Sequence, residues 1–531
     1  MIINPSFGLP GRNVKKYFPL IALVLVNLII GLFALPGFGE SMDELSQRSY
    51  AERTIQAANT LVSTGKLPPF FVEEEPKQGS HGPAFIVAIT VLKRLFLPQG
   101  TPVENLLFSH FLYFVMFQVG IVSLFFLARR WMSETAAFGT ALLFNTQPIL
   151  LGHAFMNPKD VIFMSLLITS AALGLWMIDR AGTSFQATGS PLRDGIRSFF
   201  SQFICIDVWL AGLLLGYSSA IRVAAPLIGV VVLVYILLSR KWQALPRFLA
   251  YGLIAFASMI VFWPYLWTDP LGRLFGSILH CAHYPDVHLT LFKGMLYDAE
   301  SIPRSYLPVL LVVQLTETTL LLILMGVLSI FKKFRWDLFV LILSWFVVPA
   351  AAIILLRVNL YNNFRQVFFL LPPLFLIAGV GLDWTLRFLR RPVTRFLFLL
   401  LIVLPGLYAN VNLYPYQYIY YNQLAGGVRG SYRVFELDYW HLAFKEAQGY
   451  VNQVASPNAN IFVGDSKPSA QTFGRPDLIF NAFGARRRIC EKYDYIIVST
   501  AENSDEKFAE FPTVFVVERD GVPLVYVKKP H

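Results

Sequence analysis

The chain has 531 residues, 55% of them hydrophobic and 15% charged, with a mean hydropathy of +0.55. Soluble domains carry about 25% charged residues, so the composition excludes a water-soluble globular protein and sends the excess apolar surface to lipid. The net charge of +11 lies in short loops between apolar runs, with no basic patch interleaved with aromatics; this points to membrane-anchoring loops and away from nucleic acid as a partner.

In chain order, Arg12, Lys15 and Lys16 precede an apolar run from Tyr17 to Pro36. At about 20 residues it is long enough for the ~30 Å hydrocarbon core and longer than the apolar part of a signal peptide, so an uncleaved first helix is expected. Residues 37–104 are polar, then apolar from Pro83 to Leu97 but broken by Lys93 and Arg94, the pattern of a helix lying in the membrane interface. Further spans are expected at 105–128, 133–152, 161–178, 204–220, 223–239, 247–265, 307–331, 337–356, 366–384 and 396–413, about eleven in all. With the N-terminus inside, Arg129, Arg130, Arg240, Lys241, Arg247, Lys332, Arg335, Arg387 and Arg391 fall in inner loops, and the outer loops hold few cations. That asymmetry sets the orientation.

From residue 414 the composition becomes that of a soluble domain. Leu437–Val454 reads as an amphipathic helix, and Asn460–Val463 and Tyr495–Ser499 as strands. Pro512–Val517 and Val522–Lys528 flank an Asp520-Gly521 turn, a hairpin signal. The expected fold is mainly α. A multi-pass transmembrane domain spans 1–413, with outer loops 37–104 and 266–306, and a small α/β domain, 414–531, lies outside the cell (cytoplasmic) membrane. Cys205, Cys281 and Cys490 make no CxxC or metal-ligand spacing and imply no disulfide framework.

Ionisable groups at membrane depth are costly, so those near the outer helix ends are functional candidates: Asp43, Glu44, His81, His153, Lys159, Asp160, Arg222, Arg357 and Arg365. The plainer reading makes them snorkelling anchors and caps, with Asp160 stabilising a helix N-terminus. Several of these residues sit in motifs. Ser41-Met42-Asp43-Glu44-Leu45 follows the first helix, Ser80-His81-Gly82-Pro83 precedes the interfacial one, and Asn157-Pro158-Lys159-Asp160 opens the fourth span. Arg222 comes after Gly212-Leu213-Leu214-Leu215-Gly216, then Phe262-Trp263-Pro264-Tyr265-Leu266-Trp267, and Tyr361-Asn362-Asn363-Phe364-Arg365 ahead of Leu371-Pro372-Pro373.

In order and placement, over most of residues 15–410, these motifs resemble the C-type (GT-C) glycosyltransferases, and more closely the protein O-mannosyltransferases and the lipid A aminoarabinose transferases. The resemblance implies a sugar donor on polyprenyl phosphate and an acceptor hydroxyl on a protein, lipid or glycan. It implies that Asp43 is the base and that Asp160 orients acceptor or sugar. Arg222, Arg365 and Lys159 would face the lipid phosphate, guanidiniums being suited to phosphate oxygens; Glu44, His81 and Arg304 are further binding candidates. Where the family often has Pro-Pro, this chain has Gly82-Pro83.

Some relatives hold a metal near the donor phosphate, and His280, His283 and His288 offer candidate ligands for a divalent cation. Their spacing matches no standard site, so a polar loop is the favoured reading and no cofactor is assigned. Tyr414-Pro415-Tyr416-Gln417-Tyr418 and Glu436-Leu437-Asp438-Tyr439-Trp440 are aromatic-rich; their faces could stack on sugars, but anchoring at the interface is the favoured reading. The alternative function is a flippase or transporter of lipid-linked sugar, which would place charges at the midplane and show internal repeats; the sequence shows neither.

Overall fold

The computed structural model describes residues 17–69, 71, 79–181, 199–282, 284, 289–332, 335–482 and 493–530. Helices dominate. The chain opens with α1 (Phe18–Ala34), α2 (Glu44–Thr64), α3 (Ala84–Phe96), α4 (Pro102–Ala128), α5 (Glu134–Thr146), α6 (Pro148–Met156) and α7 (Asp160–Asp179). Among the described residues seven helical segments are long and apolar enough to cross a membrane, or eight if the pair Tyr306–Gln314 and Glu317–Lys332, bent by 111°, counts as one span. The protein is therefore a multi-pass membrane protein.

Helices stand at all eleven expected spans, but length and composition do not make all of them crossings. Ile206–Ser219 and Pro226–Leu238 have 14 and 13 residues, about 20 Å each at ~1.5 Å per residue, short of the hydrocarbon thickness. The expected span 133–152 is two helices, α5 and α6. Pro148, at the first position of α6, has no N–H to continue the ladder of α5.

Backbone groups freed at such breaks need partners where no water reaches. The side chain of Gln147, 1% exposed, supplies them: its amide donates to the Gln314 carbonyl (2.8 Å) and its oxygen accepts from the Thr316 N–H (3.3 Å). Asn422 donates to the carbonyls of Val312 and Leu315 on the other side. The break between Tyr306–Gln314 and Glu317–Lys332 is thus served by Gln147 and Asn422. Within 336–355, residues Leu343–Val347 form a π turn ahead of Pro349, which absorbs the missing donor and the clash of the proline ring. Elsewhere small residues let helices close: a Cβ on Gly326 or Gly381 would run into the backbone of the facing helix, a packing mode suited to membranes.

The basic loops gather at one end of the bundle. Asp179 pairs with Arg130 (2.6 Å) and Lys241 (2.5 Å), Arg247 with Asp207 (3.1 Å), and Arg387 with Asp383 (2.5 Å), while Trp131 donates to Asp337. At the opposite end lie the close of α1, helix α2, the junction of α6 and α7, and the C-terminal part of the chain, tied there by Lys445 to the Phe38 carbonyl and by Thr472 to Glu40.

The polar loop after α1 folds as α2, 21 residues long. The helix expected in the membrane interface is α3, with Phe85, Ile86 and Ile89 buried and Val91, Leu95 and Phe96 exposed. Strands β1 (Thr290–Phe292) and β2 (Met295–Tyr297) form a small antiparallel hairpin absent from the sequence expectation. The remaining strands, β3 (Asn460–Val463), β4 (Ile479–Ala482), β5 (Tyr495–Ser499), β6 (Thr513–Arg519) and β7 (Val522–Lys528), form one sheet in the order β4-β3-β5-β7-β6. β3 runs parallel to β4 and β5; β7 is antiparallel to β5 and β6. The hairpin turn is Asp520-Gly521, as expected, with φ of 53° and 70°, the pair of positive values that a two-residue turn between twisted strands needs.

Two expectations about the tail are corrected. The helix expected over 437–454 begins only at Phe444, because the Asp438 carboxylate takes the N–H groups of Leu442 (2.9 Å) and Ala443 (3.3 Å) ahead of it. Tyr416, Tyr418, Tyr439 and Trp440 do not anchor at a membrane surface. All are buried, with the Tyr418 hydroxyl donating to Asp438.

Candidate active site

The first motif folds around Glu44. Its carboxylate reaches back to the Ser41 N–H (2.8 Å) and hydroxyl (3.1 Å), half of the reciprocal capping arrangement that a Ser-x-x-Glu pattern signals. His110 of α4 holds the same carboxylate at 3.1 and 3.2 Å. Glu44 is 2% exposed, which makes it an internal tie rather than a ligand-facing group. Asp43 precedes it with φ −81° and ψ −22°. Its side chain turns to Arg365 instead and remains 32% exposed.

The second acid begins α7. Asn157 caps this helix, its oxygen accepting from the N–H groups of Lys159 (3.0 Å) and Asp160 (2.8 Å) in a local Asx turn. The Asn157 amide contacts His153 and the Asp160 carboxylate, each at 3.0 Å, and His153 contacts the Tyr439 hydroxyl at 2.9 Å. Asp160 therefore does what the plainer reading asked, lying in the positive first turn of a helix, but that is only part of its environment.

Arg222 and Arg365 converge on Asp160, one on each carboxylate oxygen. Arg222 pairs with Oδ1, and Arg365 Nη1 lies 3.2 Å from Oδ2. The same Nη1 is 3.4 Å from Asp43. Four residues that the sequence singled out, 322 positions apart at the extremes (365 − 43), form one cluster at the end of the bundle opposite the basic loops. Side-chain exposure is 1% for Asp160, 6% for Arg365 and 16% for Arg222. An ion pair this buried demands near-complete pairing, yet Nε of both arginines lacks a hydrogen-bond acceptor among the described residues.

Lys159 borders this cluster. Packing pushes its ammonium down to about 7, with neighbouring Arg222 adding to the shift and Asp43 opposing it. Packing also raises the thiol of Cys281, against the pull of Arg222 and Lys159; its Sγ donates to the Ser80 carbonyl at 3.7 Å. Cys281 was legible only as a cysteine; its place beside two cations depends on the fold.

Gly82 explains the departure from Pro-Pro. A Cβ there would collide with the Ala220 carbonyl, and Ala84 N–H donates to that carbonyl at 3.1 Å. The close approach pins the start of α3 to the turn that presents Arg222. His81 is half-buried beside it, its Nδ1 3.2 Å from the Ser80 hydroxyl and its ring edge-on to Tyr284 at 5.5 Å. Tyr284 stacks on Tyr361 (5.9 Å), over which Arg365 lies at 5.4 Å, so His81 joins the cluster through an aromatic wall.

Residues from the tail border the cluster, in the aromatic run for which sugar stacking was the less favoured reading of the sequence. Trp440 lies 4.6 Å beneath the Arg365 guanidinium, and its carbonyl accepts the Met42 N–H at 3.3 Å. Glu436 accepts from the Asn363 N–H at 2.7 Å, just before Arg365, where Asn362 and Asn363 both have positive φ, a conformation asparagine tolerates well. Burial pushes the carboxyl of Glu436 up to about 8.

Other candidates are not brought in. Arg304 is exposed and lines a small cavity with Glu300 and Arg357, making no ion pair among the described residues. His280 packs edge-on against Tyr284 at 5.4 Å, and His283 and His288 lie outside the described residues. Among the described residues no three His, Cys, Asp or Glu side chains gather as metal ligands. The two carboxylates of the cluster face guanidiniums, a donor set that does not fit a divalent cation.

No protein-family model matches the chain, and no curated protein matches it in sequence. Among solved structures it is similar to ArnT from Cupriavidus metallidurans in the apo state, at 14% identity over 97% of this chain and 98% of that one, with a TM-score of 0.49. It is also similar to the oligosaccharyltransferase of Archaeoglobus fulgidus in the apo form, at 13% identity over 90% and 62%, TM-score 0.48. A third similar structure is the arabinofuranosyltransferase AftD from Mycobacteria, at 14% identity over 97% and 40%, TM-score 0.45.

Proposed function

We propose that the protein transfers a sugar from a polyprenyl-phosphate donor to an acceptor hydroxyl at the outer face of the membrane. The observation that carries this reading is the single cluster in which Arg365 bridges Asp43 and Asp160 while Arg222 takes the other oxygen of Asp160. The order of the sequence motifs, which resemble those of the C-type glycosyltransferases, supports the same chemistry.

The roles follow from exposure and charge. Asp160 is enclosed by two guanidiniums and holds them in place; it has no open side from which to attack a substrate. Asp43, about a third exposed, is the carboxylate open to an incoming hydroxyl. It takes the acceptor proton as the acceptor oxygen bonds to the anomeric carbon. The bond from that carbon to the phosphate oxygen breaks, and its electron pair leaves on polyprenyl phosphate. Arg222, Arg365 and Lys159 face the charge that develops there, in a site where few waters screen it. With one open carboxylate the displacement is direct, so the anomeric configuration inverts.

The reading places the N-terminus inside and residues 414–531 outside, in keeping with the basic end of the bundle lying opposite the cluster. The test is an assay in sealed vesicles containing polyprenyl phosphate that carries a radiolabelled sugar. Release of the label from the lipid, to water or to an acceptor, supports the transferase. Movement of intact labelled lipid between leaflets with no cleavage would make the protein a flippase.

A further inference from the structure

Beside the paired acids, on another face of α2, a cavity of about 930 Å³ opens between α2, α3, the start of α4 and residues 468–476 of the tail. Leu45, Arg48 and Glu52 line it from α2, spaced three and four apart and so on one face of the helix. Asp43 lies on a different face, with Arg365. The cavity is thus separate from the cluster described above.

Its lining is basic. Arg48, Lys93 and Arg94 face one carboxylate, Glu52. Arg94 is paired with Glu52, and Arg48 with Glu40, a buried acid that also accepts from Thr472 of the tail. Lys93 has no ion-pair partner among the described residues. It is half-buried, and packing pushes its ammonium down to about 8; Arg48 lowers it further, while Glu44, Glu40 and Glu52 act against the shift. A cation held partly out of water with no carboxylate at ion-pair distance is costly, and Lys93 lines a space large enough for a sugar-sized ligand. The polar wall from Gln471 and Thr472 supplies amide and hydroxyl groups. Between the lining residues Arg94 and Leu97, Leu95 and Phe96 of α3 are exposed and form an apolar edge in the chain beside the cavity.

We propose that this cavity is a second ligand site, which binds a phosphate carried on a hydroxyl-rich body, with Lys93 as the principal counter-charge. The phosphate comes either from a membrane phospholipid headgroup, reached along the Leu95–Phe96 edge, or from a water-borne glycan phosphate. Arg48 and Arg94, each with one carboxylate already engaged, have donors left for additional phosphate oxygens.

The test uses the full chain in phosphatidylcholine nanodiscs, with glucose 6-phosphate as probe and glucose as its neutral control, read by calorimetry. Glucose 6-phosphate should bind and glucose should not. Lys93→Gln should weaken binding by about tenfold, as for loss of one charge-assisted contact, and Lys93→Arg should restore it. Excess undecaprenyl phosphate should not displace the probe. Equal binding of both sugars, an unchanged affinity in Lys93→Gln, or displacement by undecaprenyl phosphate would each overturn the proposal, the last by placing the probe at Arg222 and Arg365. Discs containing phosphatidylglycerol separate the two sources. If the anionic lipid blocks the probe from the wild type, the site takes a headgroup; if the probe still binds, the site takes a water-borne ligand.

Discussion

Arg365 is the hinge of the cluster, since its single Nη1 reaches both acids and its plane rests on Trp440. Ionisable residues beside apolar runs stand out in a sequence because burying them is expensive, and that signal found Asp43, Asp160, Arg222, Arg365 and Lys159. It could not find what surrounds them. Glu44 was read as a binding group because its partner His110, 66 positions away, is an unremarked histidine in an apolar helix. The run that holds Glu436 and Trp440 offered sugar stacking only as its less favoured reading, because its contacts cross from the tail to residues 42 and 363 and leave no mark in the sequence.

Lys159 offers a residue-scale test. With its ammonium held down to about 7 between Arg222 and Asp43, the charged form that attracts phosphate is lost as pH rises from 6 to 8. Affinity for undecaprenyl phosphate should fall over that range by up to about tenfold, one pH unit being a factor of ten in protonation. The second ionisation of the phosphate, near pH 6, works the other way, so Lys159→Arg is the reference: it stays charged, and its affinity should not fall. Parallel pH profiles for the two proteins would remove Lys159 from the phosphate grip.

At the scale of elements, long apolar runs were legible because about 20 residues of hydrophobic sequence admit few alternatives. Breaks inside them were not. The Gln147-Pro148 junction and the bend at residues 314–317 are held by side chains from distant segments, Gln147 and Asn422, and periodicity carries no record of such partners. The polar helix α2 escaped notice for the opposite reason, its residues being too hydrophilic to register as a buried face. Gly82 was seen as a departure in sequence, and the contact of α3 with the 218–222 turn gives it a cause. Gly82→Ala should force that contact apart and shift Arg222, lowering undecaprenyl phosphate affinity by about tenfold, the scale of one charge-assisted contact. A variant that binds the lipid like the wild type would show that the close approach does not position the arginine.

The whole molecule is polarised. Basic loops close one end through Asp179, Asp207 and Asp383, and the acid–arginine cluster, the basic cavity and the tail occupy the other. Charge asymmetry along the chain anticipated this division, since successive loops alternate between the two ends whatever the exact number of spans. The α/β character of the tail was also legible, from its hairpin turn and two apolar strands. Its close engagement with the cluster was not, because composition reports solubility and not docking. A reporter fused after His531 should be accessible from outside intact cells; a signal confined to the cytoplasm would invert the topology and put the cluster on the wrong side for an external acceptor.

The most direct measurement compares sugar transfer and donor binding in Asp43→Asn. The substitution keeps the side-chain shape and removes the proton acceptor, so transfer from a labelled polyprenyl-phosphate sugar should drop by about 10²–10⁴, while undecaprenyl phosphate still binds through Arg222 and Arg365. Transfer at the wild-type rate in Asp43→Asn would contradict the assignment of Asp43 as the base.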